Sequence, residues 1–265
     1  MLTCIDNGAR GAIIKGEEPL NTILKNGDRI IFKDLGPQIG YRTVFLVEYF
    51  GPLTAFPIIY LLRPYLYSSY DATTNASLNY TQLVAMLLFI IHFVKRELET
   101  LFVHKFSNGY MPLFNIFKNT GYYTACAYYI AYATLHPLYT PPVTEDNKNY
   151  TNIFAGLVVL MMIFNLICHI ILSNLRPKGT TVRRIPKGFL FNLVSCPNYT
   201  VEIAEWFFFS MMTMTVASFL FCLIGGGQML AWAIKKHVNY RKEFNGQDGK
   251  ELYPRNRKIL IPFIY

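Results

Sequence analysis

Long apolar runs separated by short polar connections constrain the fold of this chain more than any other feature. A helix that crosses the hydrocarbon core of a bilayer needs about 20 largely apolar residues. The runs cover residues 43–62, 81–103, 122–135, 153–175 and 201–234. The last run is too long for one helix, and we divide it near residues 213–218 into two helices joined by a tight turn. The sequence therefore predicts an all-α, polytopic membrane helix bundle with about six transmembrane helices.

Composition agrees with a chain that is solvated by lipid. Hydrophobic residues make up 52% of the chain and charged residues only 15%, whereas about 25% is typical of soluble domains. The net charge of +9 is concentrated between the runs and at the two ends, which indicates membrane topology and not a nucleic-acid groove.

None of the five cysteines has CxxC spacing, so we predict neither a disulfide framework nor a metal site.

The distribution of Lys and Arg predicts the orientation of the bundle. With the N-terminus in the cytosol, connections 1–42, 104–120, 176–200 and 235–265 carry six, two, five and eight of these residues. The opposite connections, 63–80 and 136–152, carry one each and also hold N-x-S/T triplets at Asn75, Asn79 and Asn149. We therefore expect both termini in the cytosol and a location in the endoplasmic reticulum membrane.

The first 40 residues are polar and Gly-rich, so we expect irregular structure there apart from one short strand at 29–33.

Polar and ionisable side chains recur inside the apolar runs, although an ionisable group costs roughly 2.5–3.5 kcal/mol to insert at the bilayer centre. Four of them in the second run are spaced i, i+3, i+4 and i+7, which places them on one helical face. The residues concerned are Glu48, His92, Lys95, Arg96, Glu99, Asn165, His169, Glu202, Glu205 and Gln228. They could be isolated structural pairs, such as Lys95 with Glu99. Their recurrence in five helices instead favours a polar cavity between the helices, open to the cytosol.

Basic residues flank this predicted cavity. The connection 175–184 is basic and contains glycine, and a C-terminal tail adds Lys235, Lys236, Arg241 and Lys242. Such groups suit a phosphate-rich ligand such as NADPH or coenzyme A, although they could equally set topology or contact anionic lipid.

The chain has no histidine cluster of di-iron enzymes, no dinucleotide-binding GxGxxG, no P-loop and no GxSxG. We interpret 225–227, three consecutive glycines, as a site of close helix packing.

The C-terminal third resembles the steroid 5α-reductase-like family. The resemblance is carried by RIPKGFLF at 184–191, VSCPNYTVEI at 194–203, EW at 205–206, YRKEF at 240–244, YP at 253–254 and IPF at 261–263. Within that family the chain is similar to the very-long-chain trans-2-enoyl-CoA reductases. The similar segments are DLGPQIG at 34–40, EYFGP at 48–52, KRELETLFVHKFS at 95–107, MPLFNIFKN at 111–119 and HPLYTPP at 136–142. Because such proteins usually carry a ubiquitin-like domain first, we expect 1–34 to be a remnant of that domain and 35–265 to be the membrane catalytic domain.

This resemblance implies that NADPH reduces the 2,3-double bond of a very-long-chain trans-2-enoyl-CoA in the last step of fatty-acid elongation. Tyr199 would donate the proton, Lys95 or Arg96 would stabilise the developing anion, and Glu48 and Gln38 would orient the substrate or the nicotinamide. The positions that would contact the cofactor are Arg96, Asn165, Arg176, Arg184, Asn198, Glu202 and Tyr240. Steroid reductases carry a proton-donating tyrosine where this chain has Phe93, which favours the enoyl-CoA branch.

Two other functions remain open at this point. The same fold could reduce a steroid or polyprenol enone, or it could be a non-catalytic membrane scaffold, and Tyr199 could simply be a tyrosine of the membrane interface. The partners that the resemblance implies are the enoyl-CoA substrate, membrane lipid, an elongase and a 3-hydroxyacyl-CoA dehydratase, with no nucleic acid. The enzyme hypothesis requires that Glu48, Arg96 and Tyr199 face one shared cavity.

Overall fold

In the computed structural model, six long helices make up the body of the described part of the chain. The model describes residues 2–6, 9–14, 29–32, 34, 36–73, 77–106, 109–143, 148–175, 184–247 and 249–264. The helices are α1 (Tyr41–Leu66), α2 (Tyr80–Leu98), α3 (Phe114–Thr134), α4 (Asn149–Asn174), α5 (Pro197–Thr213) and α6 (Val216–Glu243). One wider helical turn, Glu99–Val103, extends α2. The predicted site residue Arg176 lies outside the described residues.

The predicted division of the last apolar run is confirmed. Helix α5 ends at Thr213, and the next residue, Met214, takes a left-handed backbone conformation with φ of 50°. Thr215 then caps α6, because its side-chain oxygen accepts a hydrogen bond from the backbone N–H of Ser218 at 3.3 Å. A left-handed residue followed by a threonine cap is an effective helix stop and restart, so the two helices form a tight antiparallel pair.

Two helix boundaries differ by eight residues or more from those predicted. Helix α3 begins at Phe114 and not at residue 122, and α6 continues to Glu243, well beyond residue 234. The interpretation of Lys235, Lys236 and the basic residues after them as a tail is therefore wrong, because they lie on the last turns of α6. Hydropathy detects only the part of a helix that lies in lipid, whereas Lys, Arg and Glu are good helix formers that extend a helix into water.

Successive helices run in opposite directions between two ends of the bundle. Strand β4 (Gln38–Gly40), just before α1, pairs antiparallel with β5 (Tyr110–Pro112), just before α3, so both helices begin at one end. At the other end, the end of α1 contacts the end of α3 through Arg63 and Leu135 at 3.0 Å, and the start of α4 contacts the end of α5 through Tyr150 and Met211 at 2.9 Å. The start of α2 contacts α3 through Gln82 and Thr134 at 2.8 Å and α4 through Thr81 and Thr151 at 2.9 Å. The start of α1 and the end of α6 consequently lie at the same end.

The outer surface of the bundle is apolar. Large hydrophobic side chains such as Leu61, Phe102 and Leu223 are at least 70% exposed, which is unusual for a surface in contact with water. Among the described residues, three helices, α1, α4 and α6, are long and apolar enough to cross a membrane by length and composition alone. The predicted helical membrane fold is thus confirmed, and six crossings remain a prediction.

The N-terminal segment contains a small sheet that we did not predict. Strands β1 (Leu2–Asp6), β2 (Ala9–Ile14) and β3 (Arg29–Phe32) form an antiparallel sheet in the order β2-β1-β3. The strand expected at 29–33 is confirmed, but the expectation of irregular structure is wrong for β1 and β2. The signal was the pair Asn7-Gly8 between them in the sequence, which is a common two-residue hairpin connection. The domain boundary at residue 34 remains a prediction.

Candidate active site

A large cavity occupies the end of the bundle at which α1 begins and α6 ends. Its volume is about 1010 Å³, at the upper limit of the roughly 300–1,000 Å³ that is usual for ligand pockets. All six helices contribute side chains to its walls, together with residues 104–106 after α2 and Arg184 before α5. Under the predicted topology this is the cytosolic end. The polar cavity inferred from intramembrane charges is therefore present in the structure.

Most of the predicted site residues face this cavity. Those that line it are Glu48, Arg96, Arg184, Asn198, Tyr199, Glu202 and Tyr240. The condition that Glu48, Arg96 and Tyr199 share one cavity is thus met. Lys95 and Asn165 do not line it, and Gln38 lies exposed on β4, where its amide donates a hydrogen bond to the backbone oxygen of Gly36 at 3.1 Å. The structure does not bring Gln38 to the cavity.

One buried carboxylate, that of Glu99, organises the charges of the cavity wall. Its oxygens lie 2.8 Å from Lys95 Nζ, 3.0 Å from Arg96 Nη1 and 3.0 Å from His169 Nδ1, and its side chain is only 2% exposed. We call these four residues the Glu99 cluster. Arg96 also donates a hydrogen bond to the hydroxyl of Tyr49 at 2.6 Å, and its guanidinium lies 4.8 Å from that ring's centroid. The guanidinium is therefore held in one orientation at the cavity wall.

The same region has donor atoms that could suggest a metal site. Glu99, His104 and His169 place donor atoms within 4.8 Å of one another. However, Arg96 Nη1 donates to Glu99 and also lies 3.3 Å from Nδ1 of His169. A divalent cation would have to compete with this guanidinium for the same atoms, so the geometry favours an ion-pair cluster.

A second polar chain connects this cluster to the start of α5. Lys95 Nζ donates to Asn165 Oδ1 at 2.7 Å. The Asn165 amide then donates to the backbone oxygen of Asn198 at 3.0 Å and to a carboxylate oxygen of Glu202 at 3.3 Å. Lys95 and Asn165 thus lie one layer behind the cavity wall. They hold in place the turn that carries Tyr199.

Two further polar pairs at the cavity include residues that the sequence analysis did not assign to the site. Asn119 of α3 lines the cavity and donates to Glu48 Oε2 at 3.1 Å. His92 also lines the cavity, and its Nδ1 lies 2.5 Å from Glu205 Oε1. Glu48 and Glu205 are both buried, so each depends on its partner for the hydrogen bonds that it loses on leaving water.

Tyr199 lies on the first turn of α5, which starts at Pro197. Proline is favoured at this position because its fixed φ suits the first helical residue. The C-terminal segment holds this turn from outside, since Thr200 Oγ1 donates to the backbone oxygen of Leu260 at 2.5 Å. The ring of Tyr199 lies 6.2 Å from that of Trp232, and Lys236 Nζ lies 4.8 Å from its centroid. Neither Trp232 nor Lys236 was among the predicted site residues.

The three consecutive glycines of α6 line the cavity. A methyl group on Gly226 would lie 3.7 Å from Ile203 of α5, but one on Gly225 or Gly227 would meet no atom within 4 Å. A distance of 3.7 Å is an ordinary van der Waals contact, so none of the three glycines is required for close helix packing, and our interpretation of them as a close-packing site is wrong. The backbone at Gly225 and Gly227 leaves space beside the cavity that a side chain would fill.

We expect His104 to make the protein's stability pH-dependent. Burial, together with the positive charge of Arg96, lowers the pKa of His104 from 6.5 to about 3. Between those values the unfolded chain binds a proton here and the folded chain does not, so stability falls as the pH drops from 6.5 towards 3. The apparent melting temperature of His104→Gln should fall less steeply across this window than that of the wild type. Equal slopes for the two proteins would contradict this expectation.

Known proteins resemble this chain over most of its length. Residues 109–265 match the family described as 3-oxo-5-alpha-steroid 4-dehydrogenase. The chain is 48% identical over 235 residues to a very-long-chain enoyl-CoA reductase of Dictyostelium discoideum, which covers 89% of this chain and 74% of that protein. It is 44% identical over 238 residues to a probable very-long-chain enoyl-CoA reductase of Caenorhabditis elegans, covering 88% and 74%. A trans-2,3-enoyl-CoA reductase-like protein of Homo sapiens is 36% identical over 242 residues, covering 87% and 62%.

Proposed function

This chain belongs to the very-long-chain enoyl-CoA reductases of the 3-oxo-5-alpha-steroid 4-dehydrogenase family, and from that premise we propose that it reduces trans-2-enoyl-CoA to saturated acyl-CoA with NADPH. The reaction would be the last step of the fatty-acid elongation cycle. The observation that carries the proposal is the single cavity onto which Glu48, Arg96 and Tyr199 all open. A scaffold without activity would not require a proton donor and a fixed cation to face the same space.

The residues at the cavity suit a dinucleotide. Positively charged side chains line it from the connection after α2 and from α2, α3, the segment before α5, and α6. They are Lys105, Arg96, Lys118, Arg184 and Lys236. Guanidinium and ammonium groups are the usual protein partners of phosphate. We assign the cofactor phosphates to Arg184 and Tyr240, with Arg176 as a further predicted contact. NADPH, when bound, supplies the hydride for the reaction.

The protein's own groups would manage charge and proton. Reduction adds a hydride at C3 and a proton at C2, and between these events negative charge lies on the thioester oxygen. Arg96, fixed by Glu99 and Tyr49, provides a preorganised positive charge of the kind that stabilises such an anion. Tyr199 then donates its phenolic proton to C2, because a phenol is protonated at neutral pH. Glu48, held by Asn119, orients the reacting end of the substrate.

We assign the acyl chain to the apolar side of the cavity. Aromatic rings of α2, α5 and α6 line that side, namely Phe93, Trp206 and Phe221, and the space beside Gly225 and Gly227 continues it along α6. The thioester and coenzyme A would lie towards the cytosolic end, near the basic groups. The acyl chain would therefore run between helices while the head group stays in water.

A leucine at Gly225 should impair long substrates selectively. If the new side chain displaces two methylene groups of the acyl chain, it removes about 1.6 kcal/mol at about 0.8 kcal/mol per CH₂. That corresponds to a loss in kcat/KM on the order of tenfold. The measurement is kcat/KM for a series of 2-enoyl-CoA substrates of increasing length.

Gly156→Leu is the matched control. Gly156 lies on α4, away from the cavity, and a side chain there would also meet no atom within 4 Å. It should leave the chain-length profile unchanged. An unaltered profile in Gly225→Leu would show that the acyl chain does not pass along this part of α6.

The protein is a membrane protein, and we propose that it resides in the endoplasmic reticulum with both termini in the cytosol. The opening of the cavity at the end that carries the basic connections supports this orientation. An elongase and a 3-hydroxyacyl-CoA dehydratase are the proposed partners, because the dehydratase reaction forms the 2-enoyl-CoA and the elongase uses the saturated product.

The decisive experiment measures NADPH oxidation by the purified protein in lipid nanodiscs. A long trans-2-enoyl-CoA should be consumed, with saturated acyl-CoA identified by mass spectrometry, and a 4-ene-3-ketosteroid should not. Turnover of the steroid alone would overturn the enoyl-CoA assignment in favour of a steroid reductase. Failure to bind NADPH would indicate a scaffold.

A further inference from the structure

A lysine of α6 lies against the proposed proton donor. Lys236 Nζ is 4.8 Å from the centroid of the Tyr199 ring, and both residues line the cavity. Trp232, one helical turn earlier on the same face of α6, contacts the Tyr199 ring at 6.2 Å between centroids. One turn of α6 therefore supplies both a ring and a cation to the phenol of α5.

The two cations of the Glu99 cluster are already bound to other groups. Arg96 binds Glu99 and Tyr49, and Lys95 binds Glu99 and Asn165. In the part of the chain that the structure describes, Lys236 forms no ion pair with a carboxylate. Its charge is thus available to a group that becomes negative during the reaction.

Proton donation creates such a group. When the O–H bond of Tyr199 breaks and the C–H bond at C2 forms, the electron pair of the O–H bond remains on the phenolic oxygen. A phenolate in a partly dehydrated wall is unfavourable unless a cation or hydrogen-bond donor lies near it. Water at the open end of the cavity can later return the proton.

We propose that Lys236 is a positioning residue that holds the ring of Tyr199 and stabilises the phenolate formed when Tyr199 gives its proton to the substrate. The inference rests on the proposed reductase function and adds to it a role for a residue that the sequence analysis interpreted only as part of a basic tail. Lys235 is exposed and does not line the cavity, so the two adjacent lysines have different surroundings.

The test compares Lys236→Met, Lys236→Arg and Lys235→Met in nanodiscs, with kcat and KM for a long 2-enoyl-CoA measured across a pH series. Lys236→Met should lower kcat on the order of 10- to 100-fold with little change in KM. The alkaline limb of its kcat profile should move to higher pH, because removal of a nearby cation disfavours the phenolate. Lys236→Arg should recover most of kcat, and Lys235→Met should match the wild type.

A second measurement does not depend on turnover. The difference in tyrosinate absorbance between wild type and Tyr199→Phe during an alkaline titration isolates the ionisation of Tyr199. The same difference, measured between Lys236→Met and the double variant Lys236→Met/Tyr199→Phe, should have its midpoint at a higher pH than the difference measured with an intact Lys236. An unmoved midpoint together with an unmoved kcat profile would overturn the inference, and a change in KM alone would reassign Lys236 to ligand binding. If the wild type did not turn over enoyl-CoA but Lys236→Met still shifted the midpoint, the proposed function would be refuted. The contact between Lys236 and Tyr199 would stand.

Discussion

Tyr199→Phe is expected to lower kcat for enoyl-CoA reduction by about 10²–10⁴-fold, the usual contribution of a positioned general acid. Phenylalanine keeps the ring, so its contacts with Trp232 and the start of α5 should persist. Only the hydroxyl group, with the proton that it donates, is lost. Because the hydroxyl acts in the transition state, KM should change little. Steady-state kinetics with a long 2-enoyl-CoA, together with the apparent melting temperature, check this prediction.

Tyr129→Phe provides the control for this change. Tyr129 lies on α3 with 51% of its surface exposed and does not line the cavity. Its substitution should leave kcat and stability at wild-type values. If Tyr199→Phe folded normally and turned over at a rate close to that of the wild type, Tyr199 would not be the proton donor.

Glu99→Gln is expected to produce the largest loss of stability. The carboxylate of Glu99 faces Lys95, Arg96 and His169, and glutamine removes the negative charge while keeping the size of the side chain. Two cations in a largely buried site then lose the carboxylate to which they are ion-paired, and removal of one partner of a buried ion pair typically costs about 3 kcal/mol or more. The free energy of unfolding, measured by titration with sodium dodecyl sulfate in mixed micelles, should fall by about that amount.

Activity should also decrease in Glu99→Gln, since Arg96 loses the group that fixes its orientation. Glu97→Gln is the matched control, because Glu97 lies two positions away and one of its carboxylate oxygens is buried with no hydrogen-bond partner among the described residues. Replacing that carboxylate with an amide should leave the free energy of unfolding unchanged or slightly higher. Similar losses in both variants would show that the Glu99 cluster has no special role.

Local sequence patterns predicted much of the architecture. Twenty-residue apolar runs, the i, i+3, i+4, i+7 spacing from His92 to Glu99 and the break near Thr213 all depend on helical periodicity and on the cost of exposing polar groups to lipid. Those interactions are short-range, so they can be recognised in one segment at a time. The same reasoning missed β1 and β2, because short strands become stable only through pairing with segments that are distant in the sequence.

The cavity itself could be expected from intramembrane charges, but its partners could not. Hydropathy identified Glu48 and Arg96 as unusual, yet nothing in a single run shows that Asn119 binds Glu48 or that Asn165 links Lys95 to the turn of Tyr199. Gln38 was assigned by resemblance, and the structure leaves it exposed on β4. Side chains that join different helices are selected by tertiary packing, which single-segment patterns do not contain.

The amino-acid sequence alone determined that this chain is a helical membrane protein with charged groups inside it, since the free energy of transferring a side chain into lipid depends on its own chemistry and that of its immediate neighbours. Only the tertiary structure decided which of those charges face the cavity, which lie behind its wall and which lysine of α6 lies against Tyr199. Those outcomes depend on the rotation of each helix about its axis, and that rotation is set by packing against helices that are far apart in the chain.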